Sequence, residues 1–228
     1  MSVYSGPEVV NDGLVLSFDA ASLKSYSGSG NVWYDISVNN SSATLNNSPS
    51  FSGSNNGYLQ FNGTNQNGNL VTPSLIPTGN LISIGVWCYG IVSKAQTLLF
   101  GINASGSRTI NLHLPYSSNI AYWDAGGTTV YDRIAVSVDT GYQGWHYWAA
   151  TKNATSGVMN LYKDGVLIAT GTGKTIPLDT TTQVNICSYN NQVDYHQGYI
   201  SKIEIYNKEL TAEEIRNNFN AHRGRFNI

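Results

Sequence analysis

Val158-Met159-Asn160-Leu161-Tyr162-Lys163, then Asp164-Gly165, then Val166-Leu167-Ile168-Ala169 reads as two short strands folded back on one another. The hinge is Asp164-Gly165, a dipeptide suited to a two-residue type I′ turn, in which both central residues take positive φ. Upstream, Gly144-Trp145-His146-Tyr147-Trp148-Ala149-Ala150-Thr151 has the aromatic-rich character of another strand. The same period-two pattern continues outward. Ile82, Ile84, Val86 and Cys88 fall on one face of 81–89, and Leu81, Gly85, Trp87 and Tyr89 on the other. Leu14, Leu16 and Phe18 alternate with Val15 and Ser17; Ile110, Leu112 and Leu114 alternate with Thr109, Asn111 and His113. Residues 24–57 are rich in Ser, Asn and Gly but punctuated by Trp33, Tyr34, Ile36 and Leu45, which predicts loops and short strands rather than a linker.

One helix is predicted. Thr211 can cap it, Glu214 can close a capping box, and Leu210 can staple onto Ile215. Ile215 and Phe219 share a face, and Gly224 is a candidate stop. A late helix after many short strands points to an all-β antiparallel sandwich with a short C-terminal α-helix at about 211–223, one domain over 1–228 with its core at about 13–210. The 228 residues and 41% hydrophobic content can fill such a core.

Charged residues are only 11% of the chain, under half the usual share of about 25%, so Asn, Ser, Thr, Gly and Tyr must supply the polar surface. Net charge is -2 and no Lys/Arg cluster forms a nucleic-acid footprint; Arg223-Gly224-Arg225 reads as a solvated terminus. The first residues lack the basic and apolar regions of a signal peptide, and no apolar run reaches the roughly 20 residues of a membrane span, so the expectation is a soluble protein made in a cytoplasm. Cys88 and Cys187 read as buried thiols, with a disulfide left open.

Several segments together carry a family resemblance. Residues 144–151 and the 161–169 hairpin resemble the laminin-G-like, concanavalin A-like jelly roll. Tyr58-Leu59-Gln60-Phe61-Asn62-Gly63-Thr64-Asn65, the Ile82-Ser83-Ile84-Gly85-Val86-Trp87 strand, and the run from Gly198 to Ile215 are similar to further pieces of it in the expected order. Gly13-Leu14-Val15-Leu16-Ser17-Phe18-Asp19-Ala20, the Trp33-Tyr34-Asp35-Ile36-Ser37 segment and Asn220-Ala221-His222-Arg223-Gly224-Arg225-Phe226 resemble laminin-G-like proteins of tailed bacteriophages. That resemblance implies a virion component released by lysis, with other virion proteins as partners and a homo-oligomer as an option. It also implies that calcium is possible. The turn that often carries acids in such domains is Asn62-Gly63-Thr64-Asn65-Gln66-Asn67 here, so no ligand set is assigned.

Catalysis is not expected. Glycan hydrolysis generally needs two carboxylates, and no Glu lies between Glu8 and Glu204, while Asp124, Asp132 and Asp139 fall in predicted loops. No Gly-x-Ser-x-Gly elbow is present, and His146 reads as a packed strand residue. Gly171-Thr172-Gly173-Lys174-Thr175 lacks the first glycine of a P-loop, since Ile168 stands there. Ligand contact needs exposed aromatics with convergent polar groups, and two loop-like segments offer them. One supplies Tyr122, Trp123 and Asp124, with Tyr131 nearby; the other supplies Tyr189, Asn190, Asn191, Asp194 and Tyr195. Trp87, Trp145 and Trp148 are expected in the core. The functional expectation is a virion accessory protein with an adhesive domain that contacts host-surface glycans. The alternatives are a capsid or tail decoration protein with no sugar binding and, below both, a glycoside hydrolase.

Overall fold

The computed structural model describes residues 7–91, 94–116, 119–127, 129–138, 141–190 and 193–228. Among them the chain forms two antiparallel sheets facing one another and one short α-helix. The first sheet contains β1 (Leu14–Asp19), β4 (Ser50–Ser52), β5 (Tyr58–Asn62), β7 (Leu81–Gly90), β12 (Gly144–Asn153), β13 (Val158–Lys163), β14 (Val166–Gly171) and β16 (Gln197–Tyr206). The second contains β2 (Val32–Tyr34), β3 (Ser42–Asn46), β6 (Asn67–Leu70), β8 (Thr97–Ile102), β9 (Arg108–His113), β10 (Ile120–Gly126), β11 (Tyr131–Ser137) and β15 (Gln183–Ile186).

Strand order in the first sheet is β14-β13-β12-β7-β16-β5-β4, with β1 pairing the second half of β16. The second runs β11-β10-β9-β8-β15-β6-β3-β2. Alternate residues of both sheets meet in the core: Ile82, Ile84, Val86 and Cys88 from β7, Ile110 and Leu112 from β9, Ala121, Trp123 and Ala125 from β10, and Trp148 from β12. The β13–β14 hairpin turns through Asp164 at φ 52° and Gly165 at φ 77°, the two positive values the dipeptide predicted.

The helix α1 (Ala212–His222) carries the expected capping box, with Glu214 N donating to Thr211 Oγ1 at 3.2 Å and Thr211 N to Glu214 Oε2 at 2.8 Å. It packs on the outer face of the first sheet over a second apolar cluster containing Trp87, Trp145, Tyr147, Leu210, Ile215 and Phe226. So of the three tryptophans expected inside, Trp148 fills the sandwich, whereas Trp87 and Trp145 lie beneath the helix side.

Three local expectations are corrected. A bulge between Leu14 and Leu16 turns Val15 towards the sandwich core and sends Leu14 to the helix-side cluster. Gly224 is not a left-handed stop; the chain tightens into a 3₁₀ turn over Arg223–Arg225, which brings Phe226 onto Trp87 at 4.3 Å between ring centres. Arg225 is not solvated: it bonds Asp19 twice at 3.1 Å and Ser201 Oγ at 2.7 Å. Cys88 and Cys187 are both buried and unbridged, and burial pushes each thiol up. No helix among the described residues is long and apolar enough to cross a membrane.

Candidate functional site

The outer face of the second sheet follows from strand register. Asn69 on β6 stands opposite Asn185 on β15, which faces Phe100 on β8; Phe100 faces Asn111 on β9, then Asp124 on β10, then Arg133 on β11. One lateral row therefore crosses six strands with non-core side chains, while Trp123 and Ile110 point the other way. At its amide end, Asn185 Nδ2 donates to Asn69 Oδ1 (3.3 Å), as do Asn46 and Asn67 (both 3.1 Å). Gln183 Nε2 extends this ladder to Asn185 Oδ1 at 2.9 Å and Asn190 Oδ1 at 3.3 Å.

At the other end the row becomes charged. Asp124 is fully buried and accepts Arg133 Nε on Oδ1 at 2.6 Å, with Arg133 Nη2 (2.9 Å), Asn111 Nδ2 (3.3 Å) and Arg108 Nη1 all on Oδ2. A buried carboxylate is tolerable only when its lone pairs are met, and two guanidiniums and an amide meet them here. The hydrogen bonds to Asp124 raise the Arg133 pKa above its ordinary value. Aromatic rings flank both cations. Arg133 lies over Tyr122 at 4.3 Å and Tyr131 at 5.4 Å; Arg108 lies over Tyr131 at 4.6 Å, Tyr189 at 5.5 Å and Phe100 at 5.9 Å.

These side chains border a cleft of about 480 Å³ lined by Arg108, His113, Tyr116, Arg133, Tyr189, Val193 and Asp194. Its far wall is the segment after β15, folded over β8: Cys187 N donates to Leu98 O, Thr97 N to Asp194 O, and the Tyr189 ring sits 4.0 Å from that of Phe100. His113 Nδ1 donates to the Gln96 carbonyl at 3.0 Å and lies 2.9 Å from Thr97 Oγ1. Burial lowers the His113 pKa to about 4, so the ring is neutral and its Nε2 is an acceptor. Burial also raises the Asp194 carboxyl, against the pull of Lys94. Another hollow, of about 530 Å³ between Val15, Asn39, Ser74 and Leu81, is lined by neither a charged nor an aromatic side chain.

Of the residues singled out in the sequence, Tyr122, Asp124, Tyr131, Tyr189 and Asp194 converge around this cleft. Asn190 belongs to the amide ladder and Tyr195 bridges Thr97. Asn191 and Asp139 lie outside the described residues. Trp123 is a correction: 120–126 is strand β10, not a loop, and Trp123 is fully buried, its indole donating to Thr151 O at 3.0 Å. Asp124 and Asp132 are likewise strand residues; Asp132 points inward and binds buried Lys152 at 2.6 Å. Arg108, Arg133, Phe100, Asn111, His113 and Tyr116 complete the site but were not singled out. The available signal was the spacing of Tyr131 and Arg133 on one strand face.

The Asn62 turn holds itself together: Asn62 Oδ1 accepts from the backbone of Thr64, Asn65 and Gln66, and Gln66 Oε1 from Asn62 N. Among the described residues no group of three or more His, Cys, Asp or Glu side chains is placed to hold a metal ion.

Residues 53–216 match the concanavalin A-like lectin/glucanases superfamily, and the chain belongs to it. Comparison with the curated proteins finds no significant match in sequence. Among solved structures, the chain is similar to the botulinum neurotoxin serotype G binding domain (15% identity, 90% of this chain and 50% of that one, TM-score 0.71). It is also similar to the botulinum neurotoxin DC binding domain in complex with rat synaptotagmin II (17%, 93% and 52%, TM-score 0.71). A third is the serotype D ligand binding domain in complex with N-acetylneuraminic acid (16%, 93% and 52%, TM-score 0.70). The chain spans about half the length of these structures, and at such identities the likeness is one of fold.

Proposed function

We propose that this is a non-enzymatic adhesive domain of a bacteriophage virion accessory protein that contacts host-surface glycans through the outer face of its second sheet. The observation that carries the reading is the cleft beside Arg108 and Arg133, where Tyr122, Tyr131 and Tyr189 stand next to fixed polar groups and an amide ladder. Saccharides present alternating apolar faces and hydroxyls, and a flat ring beside a held donor or acceptor meets both. The solved binding domains named above support the reading only in that the same fold serves binding in other proteins. The phage context rests on the likeness of the opening and closing segments.

Hydrolysis fits the site poorly. Asp124 lies beneath the arginines, fully buried and hydrogen-bonded to two guanidiniums and an amide, so it is not an available nucleophile, and among the described lining residues Asp194 stands as a single carboxylate where hydrolysis generally needs a pair. A second reading, a decoration protein docking on another virion protein or on further copies of itself, is favoured by the exposed apolar side chains of Tyr34 at the end of β2 and of Ile36 and Val38 after it. The test is a polysaccharide array probed with the full chain, beside Tyr131→Ala. Retention on host polysaccharides that weakens about tenfold or more in the variant supports adhesion. No retention on any polysaccharide, with the protein located as a regular array on purified particles by electron microscopy, would replace it with decoration.

A further inference from the structure

The charge arrangement in the cleft narrows the ligand, on the footing of the adhesive reading above. Two guanidiniums share one carboxylate, so the Arg108–Asp124–Arg133 cluster carries one unbalanced positive charge. The negative member lies underneath: the Asp124 side chain is 0% exposed, whereas that of Arg133 is 39% exposed. Asp124 occupies Nε and Nη2 of Arg133 and leaves Nη1 without a protein hydrogen bond among the described residues. Beside this donor edge, the Tyr122 and Tyr131 rings flank the guanidinium. Nearby, Arg108 Nε and Asn111 Oδ1 are buried without partners among the described residues. In a chain of net charge -2 with 11% charged residues, this positive charge is local and held in place.

Among the described residues, the other ionisable groups at the cleft do not cancel it. His113 is neutral. Asp194 borders the cleft at the Thr97–His113 end, one step along the sheet from the Asn111–Asp124–Arg133 row, and Lys94 opposes its charge there. We propose that the cleft selects a carboxylate-bearing saccharide, a uronic or other sugar acid, whose carboxylate meets Arg133 while its pyranose ring lies against Tyr122 or Tyr131. Asp124 acts as the positioning residue, fixing both guanidiniums from below. A neutral sugar uses the tyrosines alone and leaves the charged edge to water.

The experiment measures binding of the full chain to oligogalacturonate and oligoalginate, to their carboxyl-reduced counterparts, to dextran oligosaccharides and to poly-glutamate. Arg133→Gln, Arg133→Lys and Tyr131→Ala are run alongside, each checked for unchanged circular dichroism. The expected result is binding of at least one acidic oligosaccharide that falls tenfold or more on carboxyl reduction and on Arg133→Gln. Arg133→Lys, which keeps the charge but not the fork, recovers part of that loss, and Tyr131→Ala weakens every saccharide that binds. Equal binding of acidic and reduced forms, or of neutral dextran alone, overturns acid selection while leaving glycan adhesion standing. Poly-glutamate binding as tightly as the oligosaccharides overturns the saccharide part in favour of an acidic peptide. Absence of binding to all of them overturns the adhesive reading itself.

Discussion

Replacing Asp124 by Asn keeps the shape of the side chain and removes the charge that holds Arg108 and Arg133 together. Breaking a buried ion pair by deleting one partner costs about 3–5 kcal/mol, because the remaining charge stays desolvated. Here the orphaned charges are two guanidiniums whose side chains are 14% and 39% exposed, so Arg133 can swing into water and the cost falls towards about 3 kcal/mol. For a domain of this size that is a fall in melting temperature of about 6–12 °C. Urea unfolding should show a lower midpoint with an unchanged slope. Arg133→Gln, which leaves Asp124 paired with Arg108, should cost only about 1 kcal/mol. In the Asp124→Asn/Arg133→Gln double variant the losses should fall short of additive, since one guanidinium rather than two is then stranded. A stability change within about 0.5 kcal/mol for Asp124→Asn would refute the view of Asp124 as the buried counter-charge.

Three further expectations concern the scaffold. His113 is lowered to about 4, and His196 and His222 to about 3, each chiefly by burial. Between their ordinary value of 6.5 and these values the unfolded chain binds protons that the folded chain refuses. Stability therefore falls as pH drops below about 6.5, by about 3 kcal/mol from His113 alone once pH is below 4. Asp194, raised by burial, works weakly in the opposite direction; an unchanged urea midpoint between pH 7.5 and pH 4.5 would contradict this. Trp123→Phe should lose about 2 kcal/mol through its bond to Thr151 O and its core volume, yet leave saccharide binding unchanged in a titration. Gly198→Ala should fold poorly or melt far lower, because a Cβ there would lie 2.0 Å from the Tyr89 carbonyl oxygen on the neighbouring strand.

What was legible in the sequence was local. The Asp164-Gly165 turn, the two faces of β7 and the Thr211–Glu214 box each rest on residues a few positions apart, and all three stand as read. The candidate site was only half legible. Tyr122-Trp123-Asp124-Ala125-Gly126-Gly127 read as a loop because Asp and Gly disfavour strands. In the structure Ala121, Trp123 and Ala125 alternate inward, and Asp124 is stabilised by arginines from β9 and β11. Those partners lie 16 and 9 positions away in sequence, so no local pattern announced them. The same holds for Arg225, whose acceptor Asp19 is 206 positions away. The bulge at Leu14–Leu16 likewise depends on register against β16, which alternation alone does not encode.

The helix side of the sandwich has a bearing on how the domain meets a surface. Val10 N donates to Asn218 Oδ1 at 2.8 Å, and Phe226 stacks on Trp87, so the chain on either side of the sandwich is gathered on the outer face of the first sheet. The arginine cleft opens on the opposite side, across the full thickness of the core. A copy held from the helix side thus keeps its cleft facing away from whatever holds it. Several copies side by side would all look the same way, and weak individual contacts could then add up to firm attachment without any change in the cleft itself.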